Sequence, residues 1–204
     1  MERLVLLCTG GIGSGKSFIV SAFNALGVPS YDCDGAAKEL YGRDPELLSS
    51  VVRRCGETVL DAEGRLDRSV LAARIFADPS LRADIEALVH PAVIRDFRRW
   101  MAEQPADRRL VVIESAILLE KPLPERVYDY VLAVTAPEDV RVARVMDRSG
   151  MDEAQVRRRM AAQWSDAERA ARADFVLDND GRKPVLPAIL DILERIKEDG
   201  KNRS

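Results

Sequence analysis

The hydrophobic residues of this chain form short continuous runs that alternate with segments of helical periodicity. Residues 16–26, directly after the first run, repeat apolar side chains at the spacing of an amphipathic helix. Strands that alternate with helices favour an α/β fold with a parallel sheet. The runs predicted to be strands lie at residues 4–8, 28–31, 109–114, 130–134 and 173–177.

The segment between the second and third predicted strands has a different pattern. Residues 34–104 contain no good strand, are punctuated by prolines and glycines, and are mainly helical in pattern. Ten acidic and ten basic residues lie between Arg53 and Arg108. We therefore interpret this segment as a helical insertion rather than as part of the core.

Local end signals place the helices that follow the fourth strand. Pro137, with two acidic residues after it, begins a helix that Gly150 ends. Asp152 and Gln155 have the spacing of a capping box, which predicts a second helix to about residue 164. After the last strand, an Asp-Gly turn leads into a closing helix over residues 185–196.

Residues 10–17 read Gly-Gly-Ile-Gly-Ser-Gly-Lys-Ser and fit the phosphate-loop pattern Gly-x-x-x-x-Gly-Lys-[Ser/Thr] at every fixed position. The loop lies between a strand and a helix, which is the context the motif requires. Glycines let the backbone approach an anion, and the N–H groups at a helix N-terminus attract phosphate. Lys16 is expected to reach the β- and γ-phosphates, and the Ser17 hydroxyl to ligate Mg²⁺. A chance match would occur in roughly 1% of chains, so we infer that the protein binds a nucleoside triphosphate.

Composition narrows the class of protein. A length of 204 residues suits one domain with a small inserted lobe, and a net charge of −3 gives no basic field for nucleic acid. Cys8, Cys33 and Cys55 have no metal-site spacing and indicate a reducing compartment. The apolar run at 4–8 is shorter than a signal sequence or a membrane span. We expect a cytoplasmic protein with no membrane contact, and the sequence names no protein partner.

Carboxylates follow two of the predicted strands, at the edge where ligands bind in such sheets. Asp32 and Asp34 can position Mg²⁺ or accept the proton of an attacking hydroxyl. Asp34 is equally suited to be only the cap of a helix starting at residue 35, whereas no capping role is expected for Asp32. Glu114 is either a metal ligand or an ordinary strand-end carboxylate. His90, the single histidine, is by residue type more often structural.

Eight arginines and no lysine lie between residues 141 and 172, against five acidic residues. Arg141, Arg144 and Arg148 step by three and four, which places them on one helical face, and Arg159 and Gln163 share a face of the next helix. Guanidinium groups suit the charge that spreads over oxygens in phosphoryl transfer. We interpret the segment as a lid that excludes water; a solvated charged face is the alternative for any single arginine.

These motifs together resemble the dephospho-coenzyme A kinase family. Residues 9–17 match the family's opening, and Asp-x-Asp at 32–34 lies where the family has Asp-Ala-Asp. Further matches are Gly-Arg-Leu-Asp-Arg at 64–68, His-Pro at 90–91, Arg-Met-Ala-Ala-Gln at 159–163 and Asp-Asn-Asp-Gly at 178–181. The resemblance extends from residue 4 to about 196, and the ordered set is far more specific than the loop alone.

The resemblance implies a three-layer phosphate-loop fold like that of nucleoside monophosphate kinases, with a five-stranded parallel sheet. Within a single kinase domain over 1–204, it implies a core of 1–33, 109–140 and 173–200. The helical insertion at 34–108 becomes an acceptor-binding lobe, and residues 141–172 become the lid.

The activity that the resemblance implies is transfer of the ATP γ-phosphoryl group to the ribose 3′-hydroxyl of dephospho-CoA, with Mg²⁺. Asp32 then resembles the general base, Ser17 the metal ligand and Asn179 an adenine-side contact. The residues implied for catalysis are Lys16, Asp32, Arg144 and Arg148. Those implied for the nucleotide are Gly11, Gly13, Ser14, Gly15, Lys16, Ser17, Phe18 and Asn179. Those implied for the acceptor are Asp34, Lys38, Arg68 and His90.

The chain departs from the family pattern at three places. Phe18 replaces the usual threonine after Ser17, which makes the nucleotide side more apolar. Lys38 replaces an arginine, so a bidentate contact becomes a point charge. Residues 115–120 lack the proline of the family's Pro-Leu-Leu-Phe-Glu, which affects the expected acceptor loop.

Two alternative functions can be tested against the same motifs. A nucleoside monophosphate kinase would share the loop, Asp32 and the lid, but not Leu-Asp-Arg at 66–68 with His-Pro at 90–91. A regulatory GTPase would need a guanine-reading Asn-Lys-x-Asp, which this sequence lacks. We therefore favour the metabolic kinase and reject the switch.

Overall fold

The computed structural model describes residues 3–120 and 126–202. The chain divides into two compact units, one made of residues up to Tyr31 together with those from Gln104 onward, and the other of Asp32–Glu103. The strands are β1 (Leu4–Thr9), β2 (Ser30–Asp32), β3 (Leu110–Glu114), β4 (Tyr130–Thr135) and β5 (Phe175–Asp178). The α-helices are α1 (Lys16–Ala25), α2 (Cys33–Arg43), α3 (Pro45–Cys55), α4 (Arg68–Ala77), α5 (Pro79–Glu103), α6 (Glu138–Ser149), α7 (Glu153–Ala161), α8 (Asp166–Ala170) and α9 (Leu186–Asn202).

The five strands form one sheet in the order β2-β3-β1-β4-β5. β1 lies in the middle and pairs in parallel with β3 and β4, so that Leu6 is opposite Val112 on one side and Tyr130 on the other. A strand covered on both faces must be apolar throughout, and Leu6, Leu7 and Cys8 are fully buried. The predicted fold class is confirmed.

A hydrophobic cluster joins the sheet to α1 and α9. Phe23 of α1 and Ile189 of α9 are both fully buried in it, beside Leu132 of β4. Their burial fixes α1, and therefore the loop before it, against the sheet. None of the helices in the described part of the chain has the length and apolarity needed to cross a membrane.

The helices between β4 and β5 differ in one respect from the prediction, and α9 ends at Asn202 rather than at residue 196. Gly150 ends α6 in the left-handed conformation, and the capping box of Asp152 and Gln155 begins α7 as expected. However, α7 ends at Ala161 rather than near residue 164, because a second capping box, formed by Ser165 and Glu168, starts α8. The Ser-x-x-Glu spacing was present in the sequence and was not recognised there.

The second unit contains α2 to α5 and a single 3₁₀ turn at Glu57–Val59. The 25-residue α5 packs against α2, α3 and α4 and carries Pro91 within it. Its Asp96 is buried and pairs with Arg43 of α2 at 2.9 Å and also with Arg99. Buried charge is stable only when it is paired in this way, so Asp96 ties α2 to α5.

Candidate functional site

The glycine loop of the first unit joins the end of β1 to the start of α1. Gly13 has φ of +79°, a left-handed value that favours glycine, and a Cβ there would lie 2.5 Å from the Arg141 carbonyl oxygen. A Cβ at Gly15 would collide with the Asn179 amide. The loop therefore depends on glycine both for its conformation and for its packing against α6.

Lys16 and Ser17 begin α1 and reach two different partners. The Lys16 ammonium donates to the Gly10 carbonyl at 2.8 Å and approaches that of Gly11 at 3.4 Å. The Ser17 hydroxyl donates to Glu114 Oε1 at 2.8 Å. The structure thus brings the strand-end carboxylate of β3 to the motif serine, and a role of Glu114 as a metal ligand remains a prediction.

Ser17 and Glu114 form a donor set that suits Mg²⁺. The ion binds hard oxygen ligands and is usually held by one or two carboxylates together with substrate phosphates. A hydroxyl and a carboxylate within hydrogen-bond distance fit that pattern. Clusters of three or more His, Cys, Asp or Glu side chains able to hold a metal are absent from the part of the chain that the structure describes.

Cys8 of β1 lies beside Glu114 in the sheet, and its buried thiol is unreactive at neutral pH. Burial, and to a smaller extent the Glu114 carboxylate, raises the pKa of its thiol from the ordinary 9.0 to about 12, and Lys16 opposes the change. The thiol is therefore protonated at neutral pH and serves as a packing residue.

Ile12 of the loop is held by Arg141 of α6 and by Gln163, which lies between α7 and α8. Its N–H donates to Gln163 Oε1 at 2.8 Å, and its carbonyl accepts from Arg141 Nε at 3.0 Å. Its side chain packs on an apolar cluster that includes Val145 and Val156. The Arg-x-x-x-Gln motif is the sequence signal for Gln163, whose contact with the loop only the structure reveals.

The three arginines expected on one face of α6 do not share one environment. Arg141 is buried, Arg144 is half-buried with NH1 at 3.5 Å from the Ser14 carbonyl, and Arg148 is exposed. The reason is that the loop contacts the first half of α6, and Arg148 lies one turn beyond it. Asn179 is buried and donates to the same Ser14 carbonyl at 2.9 Å.

Two other residues expected at the nucleotide differ in exposure. Phe18, in the first turn of α1, is 59% exposed. The Ser14 hydroxyl is buried and has no hydrogen-bond partner among the described residues. The loop therefore combines an open apolar side chain with an enclosed polar group.

In the second unit, Asp32 is the N-cap of α2, and its Oδ1 accepts from the Asp34 N–H at 3.0 Å. The alternative that Asp34 is the cap of a helix from residue 35 was wrong, and so was the expectation that Asp32 has no capping role. The chain becomes helical directly after β2, which moves the cap back by two residues. A Cβ on Gly35 would lie 2.6 Å from Asp32 Oδ2, so this glycine makes room for the carboxylate.

Lys38 and Arg68, expected on the acceptor side, lie near each other. Arg68 NH2 donates to the Lys38 carbonyl at 2.8 Å. Asp67 caps α4 through the N–H groups of Ser69 and Val70, and the hydrogen bond from the Ser69 hydroxyl lowers the pKa of its carboxyl. The Leu-Asp-Arg motif thus fixes where Arg68 starts its helix. His90 is half-buried in α5.

Sequence reasoning also missed a buried charge in the first unit. Arg169 of α8 is fully buried and pairs with Glu120 and with Asp166, the latter at 3.6 Å. Nothing in its residue type distinguishes it from the other arginines of the segment, since burial depends on elements distant in sequence.

Comparison with known proteins gives a consistent result. A sequence model described as dephospho-CoA kinase matches residues 4–184. The dephospho-CoA kinase of Syntrophotalea carbinolica is 40% identical over 179 residues, which cover 87% of this chain and 84% of the relative. That of Anaeromyxobacter dehalogenans is 37% identical over 199 residues, which cover 98% and 94%. A solved structure from Thermus thermophilus is 32% identical, has a TM-score of 0.81 and covers 98% of both chains.

The matched region contains the phosphate loop, both predicted acceptor motifs and the motif predicted for the lid, and it ends beyond Asn179. The family suggested by the motifs is therefore confirmed. This chain belongs to the dephospho-CoA kinase family.

Proposed function

We propose that the protein transfers the γ-phosphoryl group of ATP to the 3′-hydroxyl of the ribose of dephospho-CoA, giving coenzyme A and ADP. The observation that carries the proposal is the family match over residues 4–184. The geometry of the glycine loop supports it, since a loop of this kind at a helix N-terminus binds phosphate groups.

On the nucleotide side, the loop holds the triphosphate through its backbone N–H groups. Lys16 moves from the carbonyls it contacts in the described structure to the phosphate oxygens, which carry full negative charge and are stronger acceptors. Gly11, Ser14, Gly15 and Asn179 line the nucleotide, and Phe18 offers it an apolar surface.

Ser17 and Glu114 are the residues that would hold Mg²⁺. When bound, the ion neutralises charge on the phosphate oxygens during transfer. The 2.8 Å hydrogen bond between the two side chains keeps their oxygens side by side, so that the protein's part is to orient the ligands in advance.

On the acceptor side, Asp32 is the general base that accepts the proton of the 3′-hydroxyl. Its Oδ1 is held by the Asp34 N–H, which fixes the plane of the carboxylate. We assign the proton to Oδ2, the atom for which Gly35 leaves room. A carboxylate oriented in this way loses less freedom on reaching the transition state.

The remaining residues bind the acceptor or stabilise the transferred group. Lys38 and Arg68, which lie close together, and His90 supply the acceptor side with positive charge and donors. Arg144 and Arg148 of the lid stabilise the charge that develops on the transferred phosphoryl group. We place the reaction in the cytoplasm, with no nucleic acid or membrane partner.

One assay tests the proposed function. Purified protein with ATP and Mg²⁺ is given dephospho-CoA, AMP or no acceptor in parallel, and ADP release is followed with a coupled enzyme. We expect rapid ADP release only with dephospho-CoA, and phosphorus NMR of the product should place a new monoester at the 3′ position. Rapid turnover with AMP and none with dephospho-CoA would assign the protein to nucleoside monophosphate kinases instead.

A further inference from the structure

A chain of alternating charges runs from the loop after β3 to the phosphate loop, within the first unit. It consists of Glu120, Arg169, Asp166 and Arg141, and it ends on the carbonyl of Ile12. Arg169 is fully buried, and the Arg141 side chain is only 8% exposed. The roles assigned above do not use Glu120, Arg169 or Asp166.

Arg169 is the anchor of this chain. Its guanidinium contacts Glu120, the backbone carbonyl of Trp164 and Asp166. A buried arginine must keep its partners, because leaving a buried charge unpaired is strongly destabilising. Arg169 therefore fixes Asp166 at the start of α8.

Asp166 passes this constraint to Arg141. Asp166 Oδ1 accepts from Arg141 NH1 at 3.0 Å, and Arg141 Nε donates to the Ile12 carbonyl at 3.0 Å. The two bonds use different nitrogens of one planar guanidinium, so its orientation is fixed by the pair. The Arg141 NH2 group occupies the space that a Cβ at Gly11 would fill.

The direction of the Ile12 carbonyl matters for phosphate binding. In a planar trans peptide the C=O and the following N–H point in opposite directions, and no cis peptide occurs in the described chain. Holding the Ile12 carbonyl toward Arg141 therefore turns the Gly13 N–H to the other side. Asn179 has the same effect on the peptide bond between Ser14 and Gly15. It donates a hydrogen bond to the Ser14 carbonyl and so directs the Gly15 N–H to the opposite side.

We propose that Asp166 and Arg169 are positioning residues for the phosphate loop, acting through Arg141 to keep the Gly13 N–H aimed at the phosphates of the nucleotide. The inference rests on the nucleotide-binding part of the proposed function. It predicts that the chain controls affinity for phosphate groups and leaves the acceptor and the nucleoside largely unaffected.

The test compares Asp166→Asn with wild type by isothermal titration with ATP and with AMP. Asparagine keeps the shape of the side chain and removes the charge that holds Arg141. We expect the Kd for ATP to rise about 3- to 30-fold, which lies within the range for coupled neighbouring residues. The Kd for AMP, which has one phosphate, should change by less than about twofold, and so should the KM for dephospho-CoA.

Arg157→Gln is the matched control. Arg157 also belongs to the lid helices and pairs with Glu138 and Glu153, but its side chain is 50% exposed. Exposed pairs contribute little, so this variant should bind ATP like wild type. Arg141→Lys is the second variant, for the case that Asp166→Asn folds poorly. Lysine cannot make both hydrogen bonds with one planar group, so this variant should show the same selective loss of ATP affinity.

Equal changes in ATP and AMP affinity in both Asp166→Asn and Arg141→Lys, or no change relative to Arg157→Gln, would overturn the inference. The acceptor assay is separate. One outcome is that the wild-type protein shows no turnover with dephospho-CoA while its Asp166→Asn variant loses ATP affinity selectively. That result would refute the proposed acceptor and support the positioning role.

Discussion

Replacement of Gly13 by alanine tests the claim that the phosphate loop is packed directly against the backbone of α6. The new methyl group would meet three backbone atoms of Arg141, the carbonyl oxygen at 2.5 Å and the carbon and Cα at 3.0 Å. Backbone atoms of a helix cannot move aside as a side-chain tip can. The substitution must therefore displace the loop, the helix or both.

The expected loss of stability has two parts. Placing alanine in the left-handed region, at φ of +79°, costs about 1–2 kcal/mol. Forcing the extra methyl into a packed contact adds about 1–3 kcal/mol. The total of about 2–5 kcal/mol is a large share of the stability of a typical domain, about 5–15 kcal/mol.

Gly150→Ala provides a matched control for the first part alone. Gly150 has φ of +67°, and a Cβ there would meet no atom of another described residue within 4 Å, apart from its own chain neighbours and the nearby helix backbone. Gly150→Ala should therefore lose only the stability that corresponds to placing alanine in the left-handed region. Since about 1 kcal/mol shifts Tm by about 2–4 °C in a protein of this size, we expect a fall of about 2–8 °C for Gly150→Ala and up to about 20 °C for Gly13→Ala.

The measurements are thermal unfolding by circular dichroism and the KM for ATP in the coupled assay. Gly13→Ala should raise the KM for ATP, because the displaced loop no longer presents its N–H groups to the phosphates, while Gly150→Ala should not. Equal Tm values for the two variants would refute the claim of direct contact, and an unchanged KM in Gly13→Ala would refute its link to phosphate binding.

Two further predictions concern Asp32 and Cys8. Asp32→Asn keeps a good helix cap and should lower kcat by about 10²–10⁴-fold with little change in ATP affinity or stability. Asp32→Ala should also lower the free energy of unfolding in urea by about 1 kcal/mol, because alanine cannot cap the helix. An Asp32→Asn variant with wild-type kcat would contradict the base assignment. The folded pKa of Cys8 is raised from 9.0 to about 12, so the native state keeps a proton that the unfolded state releases, and stability should fall as the pH rises above about 9, by up to about 1.4 kcal/mol per pH unit. Urea unfolding of Cys8→Ala should show a smaller decline over the same pH range, and parallel curves for the two proteins would contradict the assigned environment.

The sequence alone determined the order of the strands along the chain, the glycine loop between β1 and α1, and the family. These features are encoded locally: apolar runs, helix end signals and motifs each lie within a few neighbouring residues. The main error in predicting local structure was the missed start of α8, for which the capping-box spacing of Ser165 and Glu168 is present in the sequence.

Only the tertiary structure decided which charged side chains surround the loop. Ser17 meets Glu114 across 97 residues of sequence, and Ile12 meets Gln163 across 151. Arg141 is buried while Arg148, on the same expected face, is exposed. An arginine in the sequence gives no indication of its eventual solvation, because the free energy of a charge depends on partners that the folded chain alone brings within a few ångströms.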